Sequence, residues 1–350
     1  MARKHTLRKN KKINFVGIDL GTSQSAIAAA NGKRASVLSY VGWPKDFVSE
    51  RALGQHIFFG EDALENRLSL EMSRPLEHGV IKKGNKRDEE AVHELIGFLL
   101  EQVGLGKEDA VHAVIGVPAE AMRVNKQAII DAAADQCESL ILVSEPFAAA
   151  YGRNVLNDAM VIDIGAGTVD LCIMHGSVPD ARDQRTITKA GDFIDQKLYA
   201  LITKKYPKAN VTLNMAREFK EAASFVGKPP EKIEVELLVG GRPTMHDITS
   251  EVGVACESIL PDLIEAAMEL LGRSDPEFHW LVRQNIILAG GGSRIRGLDR
   301  YLESVLKEDG PCEVKCIPDP FYAGADGALL LAQDMPVEAW RSARQNEELV

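Results

Sequence analysis

Two stretches of the chain share a pattern that could hold a charged ligand. Residues 14–25 are NFVGIDLGTSQS and residues 159–170 are AMVIDIGAGTVD, and each runs from an apolar strand to Asp, an apolar residue and Gly. Glycine lets backbone N–H groups approach an anion closely because it has no Cβ. A carboxylate beside such a turn would repel a naked phosphate, so Asp19 and Asp163 predict a cation between protein and ligand. Mg²⁺ suits this role, because it keeps several waters and binds one or two carboxylates together with phosphate oxygens.

The two turns together predict the two sides of one Mg²⁺-polyphosphate site. A single Asp-x-Gly turn after a strand is also a common β-turn, and it is the repetition in matching contexts that favours a binding site. Asp19 and Asp163 would hold the metal mostly through water, while backbone N–H groups and hydroxyls would hold the phosphates. The predicted phosphate-binding residues are Gly21, Thr22 and Ser23 in the first turn and Gly165, Gly167 and Thr168 in the second.

A third glycine cluster lies in LAGGGSRIRGL, residues 288–298, after another apolar run. Bare backbone beside a helix start could lie against an adenosine or its phosphates, although a plain loop explains the cluster equally well. The chain contains neither the G-x4-G-K-[ST] phosphate loop nor the G-x-G-x-x-G dinucleotide turn, so the usual nucleotide-binding folds are not favoured. The candidate residues of this cluster are Gly290, Gly291, Gly292 and Ser293.

Glu145 is the candidate for activating a water molecule. It lies in VSEPFAAAYG, residues 143–152, between a buried strand and a helix start. We expect it to face the same cleft as the two Asp-x-Gly turns. There it could orient or deprotonate the water that attacks a γ-phosphate, with Asp163 as a second catalytic residue. The alternative interpretation is a helix-capping carboxylate that the helix dipole stabilises.

Alternating strands and helices position these residues. Apolar runs predict three successive strands before each connecting region, and the second half of the chain repeats the order of the first. Helices are predicted after Pro118, from Glu145-Pro146, and over 249–271 with a bend at Pro261. Two α/β units therefore account for most of the chain. The predicted strands are 13–18, 25–30, 35–40, 111–117 and 139–143 in the first unit, and 159–163, 168–174, 185–189 and 285–289 in the second.

Size and charge exclude several classes of protein. The chain has 350 residues, 45% of them hydrophobic and 26% charged, which is typical of an ordinary globular protein with room for two lobes. Its net charge of −10 argues against nucleic acid as a partner. The sequence has no apolar run long enough for a membrane span and no secretory signal at its start, so we expect it in the cytoplasm. The five cysteines are expected to be free thiols, and Cys312 and Cys316 lack the second ligand pair of a metal site.

The first twelve residues are strongly basic. They could contact an acidic protein or an anionic membrane surface, or they could be a solvated terminal tail. The basic residues are Arg3, Lys4, Arg8, Lys9, Lys11 and Lys12.

The motifs, in this order, resemble those of the actin, heat-shock chaperone and sugar-kinase ATPase superfamily over residues 13–334. The phosphate-1 motif is similar to GIDLGTS, the phosphate-2 motif to IDIGAGTVD and the adenosine motif to AGGGSRIRGL. SEPFAAAYG resembles the connecting stretch in which glutamate positions the attacking water. The resemblance implies an ATP hydrolase that binds ATP or ADP with Mg²⁺. It also implies an α/β, actin-like ATPase fold, in which two duplicated lobes surround a nucleotide cleft and each lobe carries a smaller inserted subdomain.

The stretch AREFKEAASFVG, residues 216–227, resembles the helix that contacts adenosine in this superfamily. The resemblance implies that Arg217, Lys220 and Glu221 hold the base and ribose. Without the other motifs, an exposed amphipathic helix would be the simpler interpretation.

The resemblance also implies a division of the chain into lobes. Lobe I would cover 13–155 with an insertion at about 43–75, and lobe II would cover 156–335 with an insertion at about 191–275. Residues 1–12 and 336–350 would be tails.

Within the superfamily, the likeness is to the actin-like filament proteins of magnetosome-forming bacteria. It implies a head-to-tail homopolymer that assembles on ATP binding, turns over on hydrolysis, and lies as cytoskeletal filaments beside magnetosome chains. A magnetosome-associated or membrane-bound adaptor is a further candidate partner. The stretches that carry this likeness are VGWPKD (41–46), PLEHGVI (75–81), AVIGVPA (113–119), LVSEPF (142–147), TKAGDFID (188–195) and QNIILAGGGSRIRGL (284–298).

The same superfamily offers three alternative functions. A monomeric chaperone-type ATPase would need a substrate-binding β domain, for which 350 residues leave no room. A small-molecule kinase would need a substrate base in the cleft besides Glu145. A membrane-lying, cell-shape actin could insert the apolar triplet Ile57, Phe58 and Phe59 into a bilayer, but this triplet is better explained as a strand end that leads into a helix.

Overall fold

The computed structural model describes residues 12–82, 85–121, 123–307 and 310–343. The predicted basic N-terminal tail, apart from Lys12, lies outside these residues. In chain order the strands are β1 (Ile13–Leu20), β2 (Gln24–Ala29), β3 (Arg34–Leu38), β4 (Val41–Pro44), β5 (Phe58–Phe59), β6 (Leu70–Ser73), β7 (Leu76–Glu77), β8 (Val80–Ile81), β9 (Ala110–Val117), β10 (Ser139–Ser144), β11 (Asn157–Ile164), β12 (Val169–His175), β13 (Gln184–Ile187), β14 (Ala209–Asn210), β15 (Glu234–Val239), β16 (Arg242–Asp247), β17 (Ile286–Ala289) and β18 (Val314–Cys316).

Helices connect the strands and cover the sheets. A short 3₁₀-helix spans Gly291–Arg294. The α-helices are α1 (Phe47–Leu53), α2 (Gly60–Glu65), α3 (Lys86–Gln102), α4 (Arg123–Ala133), α5 (Glu145–Gly152), α6 (Gly191–Lys205), α7 (Leu213–Ala223), α8 (Thr249–Glu257), α9 (Leu260–Arg273), α10 (His279–Arg283), α11 (Leu298–Leu306), α12 (Ala323–Asp334) and α13 (Val337–Ala343). No helix in the described ranges has the length and apolar character needed to cross a membrane.

Two five-stranded sheets have the same topology. The first has the order β10-β9-β1-β2-β3 and the second has the order β13-β12-β11-β17-β18. In the first sheet β1 pairs antiparallel with β2 and parallel with β9, and in the second β11 pairs antiparallel with β12 and parallel with β17. The central strands β1 and β11 are therefore equivalent, which confirms the duplicated α/β fold that the repeated motif predicts.

Two three-stranded sheets accompany the five-stranded ones, and β7 and β8 pair as a two-stranded sheet. β5, β4 and β6 form one between residues 41 and 73, and β14, β15 and β16 form the other between residues 209 and 247. Each overlaps a predicted insertion. The exact boundaries of lobes, insertions and tails stay predictions.

A shared apolar cluster joins the two large sheets. Helices α5 and α12 lie between them, with Ala148 and Ala328 fully buried. The cluster includes Val114 from β9 and Val161 from β11, both without exposed surface. Helices on this side of the molecule therefore hold the two sheets together through apolar contacts that exclude water.

The structure corrects one predicted element. The long helix over 249–271 is two helices, α8 and α9, separated at Ser258 and Ile259. Pro261 is in the first turn of α9, where its missing N–H costs no helical hydrogen bond. The predicted bend at Pro261 is therefore wrong, because this proline begins a helix.

Candidate nucleotide-binding site

A cleft of about 330 Å³ opens between the two large sheets, at the ends of β1 and β11. This size suits a small-molecule ligand, for which pockets of roughly 300–1,000 Å³ are typical. All but one of the sequence-predicted site residues line it. They are Asp19, Gly21, Thr22, Ser23, Glu145, Asp163, Gly165, Gly167, Thr168, Arg217, Lys220, Glu221, Gly290, Gly291 and Gly292.

The equivalent strands bring the two Asp-x-Gly turns to the same cleft. Asp19 lies near the end of β1 opposite Ala26, and Asp163 lies near the end of β11 opposite Asp170. A hydrogen bond of 2.9 Å from the Gly165 N–H to the Thr168 carbonyl closes the second turn. One lobe thus contributes the Asp19 turn and the other contributes the Asp163 turn, as the sequence predicts.

Two threonine side chains of the turns have protein neighbours. The Gly79 N–H donates to Thr22 Oγ1 at 2.8 Å, and this bond leaves the Thr22 hydroxyl proton available for another acceptor. Thr168 lies beside the Asp170 carboxylate. Both threonines are buried, with 5% and 4% of their surface exposed. Backbone N–H groups and the Thr22 hydroxyl are therefore donors that a ligand in the cleft could use.

Four carboxylates converge beside the turns: Asp19, Glu145, Asp163 and Asp170. Burial raises the pKa of Asp19 to about 6 and the pKa of Asp170 to about 6. Burial also raises the pKa of Glu145 well above its ordinary value, and the negative charges of Asp170, Asp19 and Asp163 add to this effect. The pKa of Asp163 is raised well above its ordinary value by burial and by the charges of Asp19 and Asp170. The protein itself therefore leaves this cluster short of positive charge.

The residues of this cluster fit a hydrated cation. Asp170 is fully buried, and its Oδ2 atom accepts no hydrogen bond. Among the described residues, no three His, Cys, Asp or Glu side chains are grouped so that they could bind a metal directly. A divalent cation here would therefore be held through water and ligand oxygens rather than by a protein cage, and this is how Mg²⁺ commonly binds beside phosphates.

The glycine cluster packs against the end of β11. Gly290 has a φ of 71°, which favours glycine. A Cβ on Gly290 would approach Asp163 Oδ1 to 2.3 Å and the Ile164 carbonyl oxygen to 2.5 Å, so any side chain there would displace the carboxylate. Ser293 is the one predicted residue that does not line the cleft. It is buried, and its hydroxyl donates to the Gly290 carbonyl at 2.7 Å, so it stabilises the loop.

Two acidic residues of α6 were missed by the sequence analysis. Asp195 forms an ion pair with Lys220 at 2.8 Å and another with Arg217 at 3.3 Å, and Asp192 lines the cleft beside it. The predicted base- and ribose-binding cations on α7 are therefore already paired with carboxylates. The sequence contains a signal for this pairing. Residues three apart share a helix face, and Asp192 and Asp195 have the same spacing as Arg217 and Lys220.

An aromatic residue outside the predicted motifs also lines the cleft. Phe321 follows β18, and the Arg294 guanidinium lies 4.6 Å from the centre of its ring. Arg294 and Phe321 together form a flat, partly apolar wall beside the glycine cluster. Nothing in the spacing of residues 294 and 321 indicates this contact, because the pairing of β17 with β18 creates it.

Known proteins share this sequence and fold. Residues 13–337 match the family model described as MreB/Mbl protein. The actin-like protein MamK of Paramagnetospirillum magneticum is 40% identical over 327 residues, which are 93% of this chain and 94% of that protein.

Two solved structures of MamK superpose on the chain at the same sequence identity, 40%, and the same coverage, 93% of this chain and 100% of the other. A MamK double helical filament gives a TM-score of 0.90. A non-polymerising MamK mutant bound to AMPPNP gives a TM-score of 0.71. The equivalent sheets, the cleft and these similarities agree, and the chain belongs to the MreB/Mbl family of actin-like proteins.

Proposed function

We propose that this protein is an actin-like ATPase that polymerises into filaments when it binds ATP with Mg²⁺ and disassembles after hydrolysis. The observation that carries this proposal is the cleft in which the two Asp-x-Gly turns, Glu145 and the glycine cluster meet. The similarity to MamK, which has been solved as a double helical filament and as a mutant bound to AMPPNP, supports both nucleotide binding and self-assembly.

The residues of the cleft have distinct roles in this proposal. The backbone N–H groups of Gly21 and Gly167 bind phosphate oxygens, and Asp19 and Asp163 hold the metal through its water molecules. Mg²⁺, when bound, supplies positive charge that neutralises both the phosphates and the neighbouring carboxylates. Arg217 and Lys220 orient the nucleoside from α7 while they remain paired with Asp195.

Glu145 acts on the attacking water. It begins α5 directly after β10, and its side chain is nine-tenths buried in the cleft wall. As the water oxygen bonds to the γ-phosphorus and the bond to the β-phosphate oxygen breaks, Glu145 accepts a proton from that water. Its carboxylate must be ionised for this step. Burial and, after it, the neighbouring charges raise the pKa of Glu145, so neutralising those charges favours the ionised carboxylate that this step needs.

The shape of the chain supports self-association. At equal identity and coverage, the higher TM-score with the filament subunit than with the non-polymerising mutant reflects conformation rather than sequence. The described conformation is therefore the one suited to a polymer. A head-to-tail contact that does not close on itself produces an open filament. We propose a homopolymer of this kind in the cytoplasm, placed along magnetosome chains through an adaptor.

A membrane-lying, cell-shape actin is a less suitable alternative. Phe58 has only 6% of its surface exposed, and the Phe59 ring stacks on the Phe98 ring with centroids 4.3 Å apart. Phe58 and Phe59 form β5, which leads directly into α2. These side chains are packed inside the protein, so they are not available to enter a bilayer.

Sedimentation with nucleotide tests the proposal. The protein should pellet with Mg²⁺-ATP or Mg²⁺-AMPPNP, and electron micrographs of the pellet should show filaments. Glu145→Gln keeps the size of the side chain but cannot accept the proton, so it should still assemble with ATP while phosphate release falls roughly 100-fold or more. Wild-type phosphate release by Glu145→Gln would contradict the catalytic role, and a failure of the wild-type chain to pellet with ATP would contradict the filament.

A further inference from the structure

Four side chains form a closed circuit of polar contacts at one edge of the cleft. The Arg74 guanidinium donates to both oxygens of Asp192, at 2.8 and 3.0 Å. Asp192 Oδ1 lies 3.7 Å from the Arg217 guanidinium, which donates to the Tyr40 hydroxyl at 2.9 Å. The Tyr40 ring centre lies 5.9 Å from the Arg74 guanidinium and completes the circuit. We call Tyr40, Arg74, Asp192 and Arg217 the cross-cleft latch.

The latch joins opposite sides of the cleft. Tyr40 follows β3 and Arg74 follows β6, both on the side of the first sheet. Asp192 is in the first turn of α6 and Arg217 is in α7, both on the side of the second sheet. Opening the cleft must therefore break the bidentate Arg74–Asp192 pair and the Arg217–Tyr40 hydrogen bond together.

The latch is also tied to both phosphate-binding turns. Arg74 Nε donates to the Thr22 carbonyl at 3.0 Å, in the first turn. The Asp192 N–H donates to the Ala166 carbonyl at 2.7 Å, in the second turn. An unbroken series of contacts thus runs from one turn through Arg74 and Asp192 to the other. A ligand that draws the turns together also brings the latch residues together.

The latch residues are largely shielded from water. The Arg74, Asp192 and Arg217 side chains have exposed fractions of 20%, 26% and 14%. A bidentate arginine–carboxylate pair at this depth is stronger than an exposed ion pair and is geometrically specific. Arg74 is also outside the lining of the cleft, so replacing it removes no cleft-lining side chain.

We propose that the cross-cleft latch holds the cleft closed around bound nucleotide and sets the rate of nucleotide exchange. This inference rests on the proposed function of the cleft and specifies its regulation. Dissociation of the nucleotide requires the latch to open, so weakening the latch accelerates exchange. In a filament protein, the latch thereby determines how fast a subunit that holds ADP is recharged with ATP.

The test measures the dissociation rate of a fluorescent ADP analogue from the full-length monomer in Mg²⁺, chased with excess unlabelled ADP. Arg74→Ala should raise this rate about tenfold, and Arg74→Lys, which keeps the charge but loses the bidentate geometry, should give an intermediate rate. Arg87→Ala is the matched control. Arg87 also pairs with a carboxylate, that of Glu90 at 3.0 Å, but it stacks on Trp43 and makes these contacts within one side of the cleft. The dissociation rate of the Arg87→Ala variant should therefore stay within twofold of wild type.

A double-mutant cycle distinguishes the latch from general loosening. If Arg74 and Asp192 act through one contact, adding Asp192→Asn to Arg74→Ala should raise the rate by less than about twofold. The proposal would be overturned if the two substitutions raised the dissociation rate by independent factors that multiply in the double variant. It would also be overturned if Arg74→Ala unfolded at the wild-type melting temperature and released nucleotide at the wild-type rate. In both outcomes nucleotide still binds, so the proposed function survives. A wild-type chain that binds no nucleotide would overturn the proposed function and the latch together.

Discussion

At the scale of single residues, Asp170 shows how the cleft accumulates negative charge. Its Oδ1 atom accepts hydrogen bonds from the Ala119 N–H at 2.8 Å and from the Thr186 hydroxyl, whereas its Oδ2 atom accepts none. Among the charged neighbours of Glu145, Asp170 contributes most to the raised pKa of that residue. Asp170 lies within the predicted phosphate-2 motif, but its type alone did not indicate that strand pairing would place it opposite Asp163.

The raised carboxyl pKa values predict an unusual dependence of stability on pH. The folded protein keeps protons on Asp19 and Asp170 up to about pH 6, whereas unfolding returns these groups to their ordinary pKa of 3.8. Their contribution to the free energy of unfolding is therefore present at low pH and is lost as pH rises from about 4 through 6. Burial also raises the pKa values of Glu145 and Asp163 well above their ordinary range, so these two groups change the stability in the same direction.

We therefore expect the nucleotide-free, EDTA-treated protein to gain at least about 1 kcal/mol in its free energy of unfolding between pH 7.5 and pH 5.5. Urea unfolding at both pH values measures this difference. Asp170→Asn removes one of the titrating groups but keeps an acceptor for the Ala119 N–H, so the difference should shrink. A wild-type protein that is less stable at pH 5.5, with the same pH dependence in Asp170→Asn, would contradict the role of burial.

At the scale of secondary-structure elements, the crossing of α5 and α12 fixes the base of the cleft. A Cβ on Gly327 of α12 would lie 1.8 Å from the Ala148 carbonyl oxygen of α5, and one on Gly152 would lie 2.8 Å from the Gly327 Cα. The two helices therefore touch backbone to backbone. Because α5 begins with Glu145, any separation of these helices moves the residue proposed to activate water.

Gly327→Ala should accordingly lower the free energy of unfolding by about 2 to 4 kcal/mol, because the crowded atoms belong to backbone and cannot rotate away. Urea unfolding measures the change. Gly272→Ala is a matched control, since Gly272 is also helical but a Cβ there would meet no atom within 4 Å. That variant should gain up to about 1 kcal/mol from helix propensity. Equal changes in the free energy of unfolding for the two variants would show that the close helix crossing does not determine stability.

Local patterns predict most elements, and long-range pairing decides the rest. The predicted strands at 13–18, 111–117 and 159–163 are confirmed as β1, β9 and β11, because continuous apolar runs bounded by turn residues are typical of buried strands. The helix over 249–271 was overextended, because the apolar stripe continues across the break at Ser258. Periodicity reports which face is buried, and it cannot show that the helix is interrupted at Ser258 and Ile259.

Most of the cleft lining could be predicted where a local motif carries it. The predicted glycine turns line the cleft because a turn after a strand is a local feature, and Arg217, Lys220 and Glu221 line it as the resemblance implied. Asp192 and Phe321 could not be assigned in this way, because the ion pairs of α6 with α7 and the wall formed by Phe321 depend on how distant elements pack. Ser293 was predicted to line the site, but its hydroxyl donates to the Gly290 carbonyl three residues earlier, a direction that its residue type does not reveal.

At the scale of the whole molecule, the two sides of the cleft are joined by different kinds of contact. The base is apolar, since α5 and α12 bury alanine and glycine between the sheets. The open edge is polar, since it consists of the cross-cleft latch and the hydrogen bond between His78 Nδ1 and the Gly167 carbonyl, 2.9 Å long. Polar groups that separate when the cleft opens can form hydrogen bonds with water instead, whereas separating the apolar base would expose hydrocarbon. Motion of the lobes should therefore open the latch side and leave the base closed.

In the proposed filament, assembly of the subunits should depend on the charge in the cleft, because that charge decides whether the open edge stays closed. Four carboxylates from both sides of the cleft repel one another unless a cation lies among them, so removing Mg²⁺ should favour the open form. Excess EDTA added to ATP-assembled filaments should return most of the protein to the supernatant after sedimentation, and EDTA saturated with Mg²⁺ beforehand should not.

Removing one negative charge from the carboxylate cluster should make the open form less favoured when Mg²⁺ is absent. Asp170→Asn carries one negative charge fewer but keeps Asp19 and Asp163, so a larger fraction of this variant should remain in the pellet at the same EDTA concentration. Filaments that persist equally in wild type and Asp170→Asn after Mg²⁺ removal would show that carboxylate repulsion does not control closure. The lobes would then have to be held by the nucleotide and the subunit contacts alone.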